Sequence, residues 1–373
     1  MPALRVAASN TSQLYRTPVQ ATAMIDAGSP LEPLLVGLQG PLRGDQRSNG
    51  LDIYRGALLA AEQLNAAGGV LGRRVEIVRA NDGADPGKAL QAARRVRRSG
   101  ADFVIGPYNS SVGLESLPFY VREKILPLHL TSTDDTSGFG ITIQPKNSQI
   151  SPVEADYILR QNVKRVTMIV DPSAYTVGMA DRLDQALSSE GVKVKRITVN
   201  PGDNHYRKLL AKALASKPDL LYVSTYFPEG SRIARSLYRT GETVPRFMGL
   251  GNVDPGFIET AGLEASRAAV FSGIPEAAQL PRAGDYVKAY RHRFGEEPGV
   301  WGTFAYDTMQ LLAGVLEQEG TTRYGRVLNT LLQTQGYRGQ TGRISIDPLT
   351  GNRLKLPIDI LRVNRNGGYV VKG

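Results

Sequence analysis

Hydroxyl side chains follow two of the predicted strands at the point where each strand ends. Ser110 and Ser111 come shortly after one buried apolar segment, and Thr131 and Thr133 directly follow the next one along the chain. Ligands of open α/β sheets bind beyond the carboxyl ends of the strands, and the free N–H groups of a helix N-terminus attract anions. Each group alone is typical of an ordinary helix N-cap, but at adjacent strand ends the two together indicate a clamp for a carboxylate.

The motifs that would indicate catalysis are missing from the sequence. The three histidines, His129, His205 and His292, are widely spaced and none lies in an H-E-x-x-H pattern, and the chain contains no cysteine. Neither a phosphate-binding G-x-x-x-x-G-K-[ST] loop nor a G-x-S-x-G nucleophile elbow occurs, and the glycines of residues 249–256 lack the spacing of a dinucleotide fingerprint. We therefore expect a protein that is not an enzyme and that holds neither a metal nor a cofactor.

Short apolar strand patterns alternate with helical patterns along nearly the whole chain. Apolar residues recur at helical spacing from Ile53 to Leu64, Gly68 and Gly69 end that helix, and Asp85 followed by proline starts another. Strands that alternate with helices form βαβ units on parallel sheets. The chain has 373 residues and more such units than one ordinary sheet holds. We predict an α/β fold with two doubly wound, Rossmann-like parallel-sheet domains.

The net charge of +10 raises the question of an anionic partner. The densest basic run, residues 94–98, shares a segment with the apolar residues Ala89, Ala93 and Val96 and is typical of the solvated face of a helix. No zinc-finger, RNA-binding or leucine-zipper pattern accompanies it, so no nucleic-acid partner is predicted. No apolar stretch of about 18 residues occurs, so direct membrane insertion is not predicted either.

Residues 1–32 are polar and show no periodic pattern. They lack the apolar segment of a signal peptide, so an export signal is not evident in them. We expect a disordered polar leader or tail and exclude these residues from the predicted fold.

The sequence resembles a known family from about Leu35 to about Leu361. The string 64–69 and the segments that follow it in order are specific when taken together. The matching segments are Gly40-Pro41, Gly56-Ala57, 65–72, Asn81-Asp82, Asp85-Pro86, 104–107, Tyr175, 226–229, 247–249, Trp301 and Tyr306-Asp307. On these segments the chain is similar to the type I periplasmic solute-binding proteins of branched-chain amino acid ABC transporters, the leucine/isoleucine/valine-binding group.

This resemblance implies a type I periplasmic binding protein fold, in which a three-strand hinge joins two lobes. The expected lobes are 33–147 plus 275–343 and 148–274 plus 344–373. Members of the family capture a small molecule in the cleft between the lobes and deliver it to the membrane permease of an ABC importer. The resemblance therefore implies a transport function on the periplasmic or extracytoplasmic side of the membrane.

The resemblance also assigns roles to individual positions. Ser110 and Thr133 match the serine and threonine that hold the ligand carboxylate, and the carbonyl of Thr131 matches the one that receives the ligand ammonium. Tyr175 and Tyr226 match aromatic residues that close over the ligand from the second lobe. With the neighbouring positions, the expected ligand-binding residues are Ser110, Thr133, Thr131, Tyr108, Asn109, Ser111, Tyr175, Tyr226, Asn49, Asn252 and Asp254.

One position departs from the family pattern. The amino-acid binders carry a glutamate that pairs with the ligand ammonium, and Gly251 occupies the matching place here. A buried ammonium without an acidic partner is costly. Either Asp254 reaches the ligand, or Asp134 or Asp135 does so although helix capping is their expected role, or the ligand is not a standard α-amino acid. A keto acid, an aromatic acid, an amide or a urea-like molecule then becomes a candidate.

Two other functions remain open at this point. A ligand-sensing module of the amide or urea type would have the same fold and a similar site but a different partner. A dehydrogenase-type enzyme is disfavoured because the sequence shows no catalytic acid–base pair and no phosphate-binding loop. An exported precursor or a transporter operon would separate the importer from the sensor, and NAD binding would be required of the dehydrogenase.

Overall fold

Four parallel strands form the sheet of the first lobe, in the order β2-β1-β3-β4. The computed structural model describes residues 31–203 and 206–372, so His205 and the predicted leader up to residue 30 lie outside the described part of the chain. The strands are β1 (Leu34–Gly40), β2 (Val75–Asn81), β3 (Phe103–Ile105) and β4 (Leu126–Leu128). The helices between them are α1 (Arg47–Ala66), α2 (Ala89–Arg98) and α3 (Ser110–Arg122).

The second sheet has seven strands in the order β13-β12-β9-β8-β7-β5-β6. Strands β5 to β9 pair in parallel, whereas β12 pairs antiparallel with both β9 and β13. The strands are β5 (Arg165–Val170), β6 (Lys193–Thr198), β7 (Leu220–Ser224), β8 (Arg246–Met248), β9 (Ala269–Gly273), β12 (Asp359–Val363) and β13 (Tyr369–Val371). The helices are α4 (Asn147–Leu159), α5 (Ala174–Ser189), α6 (Tyr206–Leu214), α7 (Phe227–Arg239), α8 (Pro255–Ala261) and α9 (Leu263–Arg267).

Helices cover both faces of the second sheet. Successive strand residues point to opposite faces, so Met168 packs into one apolar cluster with Leu183, while Ile169 packs into another with Phe257. A parallel sheet that is buried on both faces is the arrangement of a doubly wound α/β domain. The predicted fold class is therefore confirmed, with two antiparallel strands added at one edge of this sheet.

After the second sheet is largely complete, the chain returns to the first lobe. This return contains α10 (Gly284–Phe294), α11 (Val300–Glu319), α12 (Tyr324–Leu332) and a hairpin of β10 (Tyr337–Gly339) and β11 (Gly342–Ile344). Helix α11 crosses α1 so closely that a Cβ atom on Gly56 would lie 1.9 Å from the carbonyl oxygen of Gly302. The half-buried carboxylate of Asp52 accepts the N–H groups of Gly299 and Gly302 and thereby caps the start of α11.

Some elements differ from the sequence prediction. Helix α4 was not predicted, because it begins with the polar residues 147–149 and contains Pro152, so its apolar pattern is weak. Val177 shares the helical spacing of the buried residues Ala180 and Leu183 in α5 but is itself 39% exposed. None of the described helices is both long enough and apolar enough to cross a membrane.

Residues that follow the predicted last lobe boundary, at 343, keep hydrogen bonds with the first lobe. Ile346 N–H donates to the carbonyl of Thr334, and Arg353 N–H donates to that of Thr142, both at 2.9 Å. Residues 344–353 therefore follow the first lobe, and we place the crossing between them and β12. The other lobe boundaries stay as predicted from the sequence.

Candidate functional site

A small pocket, called the central pocket below, lies between the two lobes where strands of both sheets end. Its free volume is about 10 Å³, which is room for about one water molecule. A ligand larger than water must therefore enter with the lobes or the side chains further apart. The pocket is lined by Tyr108, Ser110, Ser132, Gln144, Tyr175, Tyr226, Leu250, Gly251 and Trp301.

Ser110 is the first residue of α3 and is fully buried. Its Oγ accepts two backbone N–H groups, from Ser132 at 3.3 Å and from Thr133 at 3.1 Å. These contacts use the lone pairs of the oxygen and leave the hydroxyl hydrogen free to donate. At the N-terminus of a 13-residue helix, this donor is placed where a negative charge is stabilised.

Gln144 is a pocket residue that sequence reasoning missed. Its Nε2 donates to Ser132 Oγ at 2.7 Å, and its Oε1 is buried without a hydrogen-bond partner among the described residues. Since the two ends of an amide side chain are interchangeable by a flip, either a donor or an acceptor is left over. The amide of Gln144 therefore offers one unused polar atom beside the pocket.

The two predicted threonines lie behind the wall of the central pocket and do not line it. Thr131 Oγ1 bonds His129 Nδ1 at 2.8 Å, and Thr133 Oγ1 donates to Asp135 at 3.4 Å. Both side chains are buried. The backbone between them presents Ser132 to the pocket instead. The carboxylate and ammonium roles of these threonines stay predictions.

A buried lysine supports this turn. Lys146 Nζ donates to the carbonyls of Thr131 and Thr133 at 3.2 and 3.0 Å, and to Thr136 Oγ1 at 2.7 Å. Burial lowers the pKa of Lys146 from its ordinary value to about 7, because an ammonium loses hydration when it is taken from water. Nothing in the sequence distinguished this lysine from one on the surface.

Four aromatic rings form the apolar part of the pocket and join the two lobes. Tyr175 and Tyr226 of the second lobe have ring centroids 5.6 Å apart. Tyr108 of the first lobe lies 6.2 Å from Tyr226 and 5.6 Å from Trp301. The structure thus brings the three predicted tyrosines together and adds Trp301, which the sequence analysis did not place in the site.

The ring of Tyr175 fills the space beside Gly251. A Cβ atom added at Gly251 would lie 2.8 Å from Tyr175 Cε1 and 3.0 Å from the carbonyl oxygen of Thr225. The Gly251 N–H also donates to the Tyr175 hydroxyl at 3.0 Å. Because such contacts are shorter than van der Waals distance, an acidic side chain at this position requires Tyr175 to move.

Asp254 and Asn252 are engaged by other groups. Asp254 accepts the N–H of Gly256 at 2.7 Å and the hydroxyl of Ser48 at 3.2 Å, and burial raises the pKa of its carboxyl to about 7. The amide of Asn252 donates to three backbone carbonyls of its own lobe. Asp254 and Asn49 line a larger cavity of about 630 Å³ on the other side of Trp301, and neither lines the central pocket.

The remaining predicted residues lie at the rim of the cleft. Asp134 pairs with Arg182 at 2.9 Å. Ser111 Oγ accepts the N–H of Ala174 at 2.9 Å, which links the two lobes. Asn109 Nδ2 donates to Gln46 at 2.8 Å. In the described part of the chain, no group of acidic or histidine side chains could hold a metal ion.

The lobes thus close over a mainly aromatic pocket with two serine hydroxyls and one amide, which is the architecture of the solute-binding proteins. The chain belongs to the periplasmic binding protein family, whose model matches residues 33–368. Members of this family bind solutes and are not enzymes. The family predicted from the sequence segments is therefore confirmed.

Curated relatives and solved structures agree with this assignment. The Leu/Ile/Val-binding protein BraC3 of Rhizobium johnstonii is 28% identical over 84% of this chain and 88% of its own length. The leucine-binding protein LivK of Thermotoga maritima has a TM-score of 0.85 at 23% identity, covering 91% of this chain and 98% of that one. LivJ of Streptococcus pneumoniae, solved with isoleucine, has a TM-score of 0.82 at 22% identity, covering 91% of this chain and 100% of that one. A solute-binding protein of Rhodopseudomonas palustris, solved with benzoate, has a TM-score of 0.82 at 19% identity, covering 91% of this chain and 96% of that one.

Proposed function

We propose that this chain is the extracytoplasmic solute-binding component of an ABC importer and that it captures a small carboxylic acid without an ammonium group. Membership of the family and the curated relatives support the importer role, the membrane permease as partner and the location outside the cytoplasm. The fold accommodates an amino acid in one solved relative and benzoate in another. The residues of the central pocket support the carboxylic acid without an ammonium group.

The polar end of the central pocket suits a carboxylate. Ser110 offers its hydroxyl hydrogen, and the start of α3 adds the partial positive charge of a helix N-terminus. The amine of Lys146 lies behind the same turn and adds positive charge when it is protonated. Hydrogen bonds to an ionised acceptor are the stronger ones, so an anionic oxygen is favoured here over a neutral one.

The observation that carries the choice of ligand class is the position of Tyr175 beside Gly251. The ring takes the space that an ammonium-pairing carboxylate would need. No lining residue of the central pocket is acidic, and Asp254, Asp134 and Asp135 are held by Ser48, Arg182 and Thr133. An ammonium placed in this pocket would lose its hydration without gaining an ionic partner.

The aromatic walls suit a flat or branched apolar body. Rings that face each other across a cleft can hold the ring of a ligand between them by offset or edge-to-face contact. The oxygen of the Tyr175 hydroxyl accepts the N–H of Gly251. Aromatic acids and branched 2-keto acids combine such a body with one carboxylate, so they fit both ends of the pocket.

One observation favours a second candidate, a branched-chain amino acid. The unpartnered Oε1 of Gln144 would accept an N–H from an ammonium if the amide keeps its present orientation. A neutral amide supplies less stabilisation to an ammonium than a carboxylate does. The amino acid is therefore the weaker candidate on the geometry of this pocket.

A thermal-shift screen tests the proposal. Benzoate, 4-methyl-2-oxopentanoate, leucine and benzamide are compared at concentrations up to the millimolar range. A ligand at about 100 times its Kd adds about 2.7 kcal/mol to the free energy of unfolding. We expect the two carboxylic acids to raise Tm and leucine and benzamide to raise it much less.

The matched control for this screen lies on the same helix. Ser116 Oγ donates to the carbonyl of Val112 at 3.0 Å and takes no part in the pocket. Ser116→Ala should keep the response to carboxylic acids, whereas Ser110→Ala should lose most of it. A larger response to leucine than to its keto acid would contradict the proposal. Uptake of the bound acid by cells with and without the protein separates an importer from a sensor.

A further inference from the structure

A second groove, called the basic groove below, lies on the first lobe outside the central pocket. It measures about 680 Å³. Its walls come from the segment after β1, the first half of α1, the end of β2 and one side of α2. The lining residues are Leu42, Arg43, Arg47, Leu51, Tyr54, Arg79, Asn81, Lys88, Gln91, Ala92, Arg95 and Arg98.

The charges of this groove are all of one sign. Six of its lining residues are cationic and none is acidic. Among the described residues only Lys88 of the six forms an ion pair, with Asp85 at 2.9 Å. The other five cations repel one another, and none of them forms an ion pair with an acidic side chain in the described part of the chain. A surface of this kind attracts an anionic partner.

The arginines of the basic run in α2 are exposed, as predicted for a solvated helix face, and two of them also line the groove. Arg95 and Arg98 line the groove, whereas Arg94 does not and Arg97 pairs with Glu123 instead. The guanidinium of Arg79 lies 5.3 Å from the ring centroid of Tyr54. The groove therefore combines fixed guanidinium groups with an aromatic and aliphatic floor.

One wall of the groove also meets the second lobe. Asp45 pairs with Arg232 at 3.1 Å, and the Ser48 hydroxyl donates to Asp254 at 3.2 Å. Both contacts belong to residues 42–51, which form this wall. Arg47 also lines the larger cavity of the cleft. Contact between the lobes therefore helps to fix the shape of the groove.

We propose that the basic groove binds an acidic peptide segment of the membrane partner and holds it best when the lobes are closed. The identity of this partner rests on the proposed importer function, although the groove itself does not. Guanidinium groups recognise carboxylates in pairs of hydrogen bonds, and Leu42, Leu51 and Tyr54 suit apolar side chains between the acids. A bilayer surface is flat and would reach the rim of a concave groove but not its floor.

A labelled peptide of alternating glutamate and leucine residues is the probe. Its binding to the full chain is measured by fluorescence anisotropy at low and at physiological salt. Arg43→Ser with Arg98→Ser removes two groove cations that form no ion pair among the described residues. Arg94→Ser with Arg207→Ser removes two exposed charges outside the groove and is the matched control.

We expect the groove variant to weaken peptide binding at least tenfold and the control to weaken it less than twofold. Equal weakening by both variants would mean that only net charge matters, and this result overturns the proposal. Vesicles of phosphatidylcholine with about 30% phosphatidylglycerol, which present a negatively charged surface, form the second arm. Vesicle binding that depends on Arg43 and Arg98, without peptide binding, also overturns it.

The dependence on closure is measured with benzoate present in excess. We expect the peptide to bind at least threefold more tightly than without benzoate. If calorimetry shows that benzoate does not bind, the proposed ligand fails, while the peptide result without benzoate still tests the groove. If benzoate binds and the peptide affinity does not change, the link to closure is overturned.

Discussion

Replacing Ser110 with alanine removes the hydroxyl at the polar end of the central pocket and has two measurable effects. The first effect is on ligand affinity, because the variant loses the hydroxyl that donates a hydrogen bond to the ligand carboxylate. Hydrogen bonds to charged groups are worth about 1.5–3 kcal/mol, so we expect Kd for benzoate to rise about 10- to 150-fold. The second effect is on folding, since Ser110 Oγ accepts N–H groups from Ser132 and Thr133 at 3.3 and 3.1 Å.

The folding effect is smaller than the sum of two full hydrogen bonds. A buried donor left without an acceptor costs about 1–3 kcal/mol, but the contact at 3.3 Å lies beyond the best N–H···O distance. We expect the free energy of unfolding to fall by about 1–2 kcal/mol. The two backbone contacts therefore make folding as well as ligand binding depend on Ser110.

Calorimetry with benzoate and urea unfolding without ligand separate the two effects. Ser110→Thr keeps the hydroxyl and should restore part of both, provided that the added methyl group fits. Ser116→Ala should leave the affinity within about twofold of the wild type. Unchanged affinity in Ser110→Ala together with reduced stability would show that Ser110 only supports the turn, and the reasoning for the carboxylate end would then be wrong.

Three further predictions follow from neighbouring contacts. The folded state lowers the pKa of Lys146 to about 7 from 10.5, so this group raises the stability of the fold as pH rises between these values. A bound anion favours the protonated form of Lys146, so the affinity for benzoate should fall as the pH rises from about 6 to about 8.5 and the amine loses its proton. Lys146→Met should flatten this dependence of the affinity on pH in calorimetry. Gly56→Ala places a Cβ atom 1.9 Å from the Gly302 carbonyl, so we expect a loss of about 3 kcal/mol or more in urea unfolding. Asp254→Asn should leave benzoate affinity within about twofold, because that carboxyl serves Gly256 and Ser48 and not the pocket.

The order of strands and helices follows from local patterns in the sequence. Apolar residues at helical or alternating spacing mark α1, β3 and β7, and Asp85 caps its helix turn by accepting the N–H of Gly87 at 2.9 Å. These signals lie within a few residues of one another. Helix α4 gave no such signal, since its buried polar residues, Glu154 among them, find partners far away in the chain.

Position after a strand predicted only part of the candidate site. Ser110 follows β3, whereas Tyr108, Tyr175 and Tyr226 were predicted from the resemblance to the family. Trp301 reaches the pocket because α11 packs on α1, and Gln144 lies in a loop with no pattern of its own. Their places depend on tertiary packing, which local spacing does not record.

We expect the central pocket to prefer a carboxylic acid to the matching amino acid. Paired calorimetric titrations of the full chain with 4-methyl-2-oxopentanoate and leucine test it most directly, because the two ligands differ only at the carbon that carries the keto or the amino group. We expect tighter binding of the keto acid by at least tenfold, about 1.4 kcal/mol. Tighter binding of leucine would show that the pocket supplies an ammonium partner and would contradict the role assigned to Tyr175 and Gly251.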